Sequence, residues 1–209
     1  MRIAIVGTGS VGAALARGLA GKGHAVALGA RDPEAAAVRA LAADTGSRAL
    51  LPQDAAAGAE LVILALPWGA VEAAVAGLGD LSGRIVIDCT NPLGRVDGGF
   101  GLTLGHTTSG GEAVKRLIPE ARVVKTLNQV GAEIMERNAQ LPHRPVMFMA
   151  GNDAAAKTEV AGLLRDMGFD PLDVGDIAKS RLLEPFALVW INQALARGKG
   201  RDWAFAAIS

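Results

Sequence analysis

The chain has no tyrosine, one cysteine and three histidines among its 209 residues. Without tyrosine there is no Tyr–Lys pair to protonate a developing alkoxide, the acid–base device of many carbonyl reductases. The lone Cys89 excludes an internal disulfide. Asp88, Cys89 and His106 show no recognised ligand spacing, so no metal site is expected. There is no Gly-x-Ser-x-Gly nucleophile elbow. With 21 basic and 21 acidic side chains the formal charge cancels, so neither nucleic acid nor an acidic membrane surface is an expected partner. The most apolar stretch, Ala59 to Gly79, is interrupted by Glu60, Pro67 and Glu72 and does not suit a bilayer span. A strand-like run begins at residue 2 and leaves no room for a signal peptide; together with the cysteine count, this gives a cytoplasmic expectation.

What the chain does have is glycine in a particular setting. Arg2-Ile3-Ala4-Ile5-Val6 reads as a strand, Gly7-Thr8-Gly9-Ser10-Val11-Gly12 follows at once, and a helical pattern begins behind it. Strand, glycine turn and helix in one unit form a dinucleotide fingerprint. Gly7 permits the tight turn, Gly9 admits backbone N–H groups to a pyrophosphate, and Gly12 lets the helix pack close to the strand. At the end of the second strand stands Gly29-Ala30-Arg31-Asp32-Pro33. A bare ribose is usually met there by an acid and a 2′-phosphate by a cation, so Arg31 favours NADP over NAD. Asp32 next door offers the alternative of turning inward to the ribose.

Strand and helix alternate over most of the length. Helices are expected over Ser10 to Lys22, Pro33 to Asp44 with Asp32 as N-cap, Asp54 to Gly58, Gly69 to Leu78, Gly110 to Leu117, the stretch ending at Asn138, and Ala154 to Met167. Strands are expected at 2–6, 24–29, 47–51, 61–66, 84–89, 122–126, 146–150 and 170–174. The continuous apolar run Leu61 to Leu66 suits a strand covered on both faces. Thr90 to Thr108 reads as a glycine-rich loop behind a strand tip, where ligands collect. The expected fold is α/β, a Rossmann-type doubly wound parallel sheet over residues 1–175, with a small C-terminal helical segment over 176–209. The apolar run Phe186 to Ile191 suits either a cap on the sheet edge or a homodimer interface.

Acids and bases for catalysis are few. His24 and His143 read as structural or surface residues, whereas His106 lies in the glycine-rich loop near the expected crevice. Lys125 and Asn128 form Lys-x-x-Asn after the sixth strand. The lysine could polarise a carbonyl and Asn128 hold a carboxamide, although a solvated lysine and a turn asparagine are the blander readings. No catalytic residue is assigned beyond these weak candidates. Hydride transfer between two cofactor rings explains the shortage, since it depends on stacking geometry more than on side-chain acids. Trp68, directly behind a parallel strand, is a stacking candidate.

Gly-Thr-Gly-x-x-Gly, Gly29-Ala30-Arg31, Leu66-Pro67-Trp68, Asp88-x-Thr90-Asn91-Pro92, Val123-Val124-Lys125-x-x-Asn128, Ala150-Gly151-Asn152-Asp153 and Ser180-Arg181-Leu182-Leu183-Glu184-Pro185 together resemble the NADP-dependent deazaflavin (coenzyme F420) reductases, nearly end to end. That family is similar to the nucleotide-binding domain of the membrane metalloreductases, which reduce a flavin. The resemblance implies that Thr8, Gly9, Ser10 and Val11 line the pyrophosphate and that Arg31 takes the 2′-phosphate. It places Pro67 and Trp68 beside the ribose and nicotinamide, Val130, Gly131 and Ala132 against the nicotinamide, and Asn91 and Pro92 near a second ring. The expected function is hydride transfer between NADP(H) and a deazaflavin or flavin as the small-molecule acceptor. The alternatives are an NADPH-dependent reductase of an imine or carbonyl compound and a non-catalytic NADPH-sensing protein.

Overall fold

The structure is a computed structural model and describes residues 1–138 and 141–208. Its strands are β1 (Arg2–Val6), β2 (Ala25–Gly29), β3 (Arg48–Leu50), β4 (Leu61–Leu64), β5 (Ile85–Asp88), β6 (Leu93–Val96), β7 (Gly99–Leu102), β8 (Arg122–Lys125), β9 (Val146–Gly151) and β10 (Asp170–Asp173). Its α-helices are α1 (Ser10–Leu19), α2 (Ala36–Thr45), α3 (Pro52–Ala57), α4 (Val71–Ala76), α5 (Gly110–Leu117), α6 (Ala132–Arg137), α7 (Ala154–Asp166) and α8 (Ser180–Ile191). An eight-stranded sheet runs in the order β10-β9-β8-β5-β4-β1-β2-β3. The nucleotide-binding arrangement β3-β2-β1-β4-β5-β8 is parallel throughout.

The Rossmann-type expectation therefore holds, with one amendment. β9 pairs antiparallel with β8, and β10 is parallel to β9, so the last two strands run against the other six. Among the described residues, the α-helix in the connection from β8 is α6, whose six residues span about 9 Å at 1.5 Å per residue. That helix is too short to carry the chain back to the amino edge, so β9 starts beyond the carboxyl tip of β8 and returns beside it. The Gln129 side chain extends the pairing: its amide oxygen accepts from Phe148 N at 3.1 Å and its amide nitrogen donates to Phe148 O at 3.0 Å.

Alternate residues of the strands feed two cores, as the pleat demands. Ile3 and Ile5 join Leu15, Leu19, Ile63 and Ile87 on one face, and Ala4 and Val6 join Val62, Leu64, Val75 and Val114 on the other. Two sequence expectations are corrected. The loop read over Thr90 to Thr108 contains the antiparallel hairpin β6–β7. α2 begins at Ala36, because the Asp32 carboxylate accepts from Glu34 N at 3.0 Å in a local turn and does not cap a helix. The C-terminal segment is helical, as α8 and a π-turn over Asn192–Ala196. The tail then folds back, with Trp203 stacked on Trp190 at 5.8 Å between ring centroids and Phe205 O accepting from Val146 N at 2.9 Å. Among the described residues no helix is long and apolar enough to cross a membrane.

Candidate functional site

The carboxyl tips of β1, β2, β4, β5 and β8 lie side by side along one edge of the sheet, and the sequence candidates other than His106 follow those tips. Gly7 follows β1 with φ +105°, and a Cβ there would lie 2.3 Å from Ala65 O. A Cβ on Gly12 would lie 1.9 Å from Gly7 O, so this glycine is required for α1 to approach the turn. Gly9 is different. Its backbone, φ −71° and ψ −171°, suits any residue, and a Cβ there meets no protein atom within 4 Å. Gly9 is the N-cap of α1, yet no side chain caps this helix and its first turn carries no acid. Exposed amides at an uncapped helix start, with open space in front of them, form an anion-binding arrangement.

Thr8 and Val11 are half-buried, while Ser10 and Arg31 are exposed. Arg31 stands one residue beyond Ala30, whose N–H is held by Leu50 O at 2.9 Å, and it takes part in none of the ion pairs found among the described residues. Asp32 is occupied with Glu34 N. Beyond β4, Pro67 is exposed and Trp68 is half-buried at the start of a 3₁₀ turn.

At the tips of β5 and β8 the structure overturns the reading of Lys125 as a solvated side chain. Lys125 is 0% exposed. Its ammonium donates to Asp88 Oδ2 at 2.9 Å and to Thr90 O at 2.5 Å, and lies 3.0 Å from Glu184 Oε1 of α8. Burial pushes the lysine pKa down, but the carboxylates of Asp88 and Glu184 outweigh it and hold the group above its ordinary value. With three acceptors around it the lysine stays charged, and none of its hydrogens is free to polarise a substrate carbonyl. Glu184 also accepts from Gly110 N and Gly111 N, each at 3.0 Å. Asp88 Oδ1 accepts from Thr90 N at 2.9 Å and from Thr90 Oγ1 at 2.7 Å.

Asn128, 6% exposed, donates to Asn91 Oδ1 at 2.9 Å, while Asn91 donates to Asn128 O at 2.8 Å. The amide of Asn128 is thus engaged with the Asn91 loop, beside buried Pro92. Val130, Gly131 and Ala132 are buried at the start of α6; a Cβ on Gly131 would lie 2.8 Å from Trp190 Cη2. His106 is exposed behind β7 with φ +55° and takes part in none of the side-chain hydrogen bonds found among the described residues. Asp88 and Glu184 were not singled out as site residues from sequence. Sequence offered only that Ile85-Val86-Ile87-Asp88 and Val123-Val124-Lys125 are apolar strands each ending in a charge; that the two lie side by side is decided by the β5–β8 register, and nothing local marks Glu184.

Residues 2–92 match the family described as NADP oxidoreductase, coenzyme F420-dependent. A protein from Arthrobacter sp. FB24, proposed to be an F420-dependent NADP reductase, is 38% identical, with a TM-score of 0.89 over 100% of both chains. The chain belongs to the coenzyme F420-dependent NADP oxidoreductase family. This family member is also 30% identical over 190 residues to metalloreductase STEAP3 of Rattus norvegicus; the match takes in 90% of the chain and 36% of the metalloreductase, so the chain spans about a third of that relative's length. A reductive aminase from Aspergillus terreus, solved with NADPH and ethyl-5-oxohexanoate, is 21% identical with a TM-score of 0.69 over 94% of this chain and 63% of its own, which shows a shared fold.

Proposed function

We propose that the protein passes a hydride between NADP(H) and a deazaflavin of the F420 type or a related flavin. The observation that carries the nucleotide half is the uncapped start of α1 beside Gly9, whose missing side chain serves no packing need. Gly7 and Gly12 are explained by the fold itself, whereas Gly9 is explained by a ligand that must come close. On this reading Thr8, Gly9, Ser10 and Val11 hold the pyrophosphate, and the exposed Arg31 holds the 2′-phosphate with its planar fork. Pro67 and Trp68 flank the nicotinamide side, Val130 to Ala132 back it, and Asn91 and Pro92 border the second ring. NADPH supplies the hydride.

The chain's own contribution is binding and orientation. Among the described residues no side chain at the strand tips is both free and suited to act as an acid: Lys125 is enclosed, Asn128 is paired, and tyrosine is absent from the chain. That supports ring-to-ring transfer over reduction of an imine or carbonyl, which needs a proton donor at the reacting atom. The test is NADPH oxidation on adding F420, FMN or a cyclic imine, followed by absorbance. Oxidation with F420 or FMN is the expected result. Turnover with imines alone would move the assignment to the imine-reducing alternative, and binding without turnover under any acceptor would favour a sensor. We also propose a homodimer, supported by the exposed Leu182 (63%) and Val189 (52%) on α8; sedimentation equilibrium reads it.

A further inference from the structure

A charged cluster without solvent access stands behind the proposed crevice, and holding a nucleotide does not require it. Burying such ions is costly, and apolar residues of equal volume would often hold the strands as well or better. What the ions add is direction. The Lys125 ammonium reaches three separate segments: Asp88 at the tip of β5, the Thr90 carbonyl in the loop behind it, and Glu184 on α8. Glu184 takes the first two amides of α5, those of Gly110 and Gly111, so the start of that helix is tied to the same point. A Cβ placed on Gly110 would lie 3.0 Å from Glu184 Oε1, 3.2 Å from Trp68 Cζ3 and 3.3 Å from Pro92 Cδ. The Trp68 ring and Pro92 therefore close to contact distance around the very glycine that Glu184 grips. Those two side chains are the surfaces assigned above to the nicotinamide and to the second ring.

We propose that Lys125 and Glu184 are positioning residues for hydride transfer, setting through Gly110 where the Trp68 ring and the Thr90–Asn91–Pro92 loop stand. The proposal rests on the reading of the protein as an NADP(H) hydride-transfer enzyme. Both side chains are enclosed by protein, so they act through the groups they hold. Their influence is expected to be large because ring-to-ring transfer has no general acid to compensate for poor placement, and a displacement of about 1 Å costs on the order of a hundredfold in rate.

The experiment compares Glu184→Gln with the unsubstituted protein. Glutamine keeps the shape and leaves Lys125 paired with Asp88, so the fold should survive. NADPH affinity by calorimetry should be unchanged, because the phosphate-binding turn is untouched. The single-turnover rate of hydride transfer to F420 should fall by at least about tenfold. The Trp68-dependent energy transfer to bound NADPH, meaning the part lost in Trp68→Phe, should fall with it. A second variant, Asp88→Asn/Lys125→Met, removes one charge of each sign and should show the same split between affinity and rate.

A folded Glu184→Gln with unchanged rate and unchanged Trp68 signal would overturn the proposal. Equal losses of affinity and rate would overturn it too, since they mark a general loss of structure. Unsubstituted protein that binds NADPH but reduces neither F420 nor flavin would overturn the acceptor assignment alone, because the Trp68 signal needs no acceptor. Absence of NADPH binding would overturn both.

Discussion

Three glycines share one motif for three different reasons, and single substitutions separate them. Gly12→Ala drives a methyl group into Gly7 O and should cost about 3 kcal/mol, read by urea unfolding. A Cβ at Gly9 meets no protein atom within 4 Å and the backbone there is one that valine adopts, so Gly9→Val should stay within about 1 kcal/mol of the unsubstituted stability while losing NADPH binding. Retained affinity in that variant would remove the pyrophosphate from this turn. Arg31→Ala should weaken NADPH by about 1.5 to 3 kcal/mol and leave NADH almost unaffected, since only the 2′-phosphate loses a charge-assisted partner. Equal losses for the two nucleotides would refute the assignment. The role of Gly12 was legible in the sequence because the atom it meets, Gly7 O, lies in the same turn, and that of Gly7 because the turn itself needs its φ of +105°, although Ala65 O, which crowds it as well, is brought up only by the fold. Lys125 was not: its partner Asp88 is 37 residues away, and only the parallel register of β5 with β8 brings them together.

Among the elements, α5 and α8 are clamped twice. Besides Glu184 on the amides of α5, Arg181 donates to Glu112 through Nε at 2.8 Å and Nη2 at 2.5 Å, and Ser109 Oγ donates to the same carboxylate at 2.7 Å. The bond from Arg181, against the opposing effect of burial and with help from Ser109, holds Glu112 below its ordinary value of 4.5. A carboxylate depressed on folding stabilises fully above its unfolded value and loses that contribution as the pH falls through the lower folded one. Stability should therefore decline on acidification below about pH 4.5, and Glu112→Gln should flatten that decline in urea titrations. An identical slope in the variant would show that other carboxylates dominate. α5 itself was readable from Gly110 to Leu117, with Ser109 accepting from Glu112 N as its cap. The hairpin β6–β7 was missed although Asp97-Gly98 sits between its strands and Gly98 takes φ +88°, a local signal for such a turn.

At the scale of the whole molecule, the C-terminal tail is part of the fold. Trp203 stacks on Trp190, Phe205 packs on Phe186 at 4.7 Å, and Arg201 pairs with Glu133 at 2.8 Å at the start of α6. The tail thus joins α8, β9 and α6. Trp203→Ala should cost about 2 kcal/mol, less than a fully buried ring because Trp203 is half-exposed. It should also speed hydrogen exchange at the Val146 amide, which the tail holds through Phe205 O. Unchanged exchange there would mean that the backbone bond holds the tail without the ring stack.

By itself the sequence determined the parallel nucleotide-binding half, the glycine turn and the cation behind β2, because each rests on spacing within one strand, one turn or one helix. The tertiary structure alone decided the reversed direction of β9 and the enclosure of Lys125 between two carboxylates. It also decided the grip of Glu184 on a helix start 74 residues earlier. Those outcomes depend on which distant segments share the same sheet edge. Residue spacing does not encode that proximity until the sheet has closed the distance.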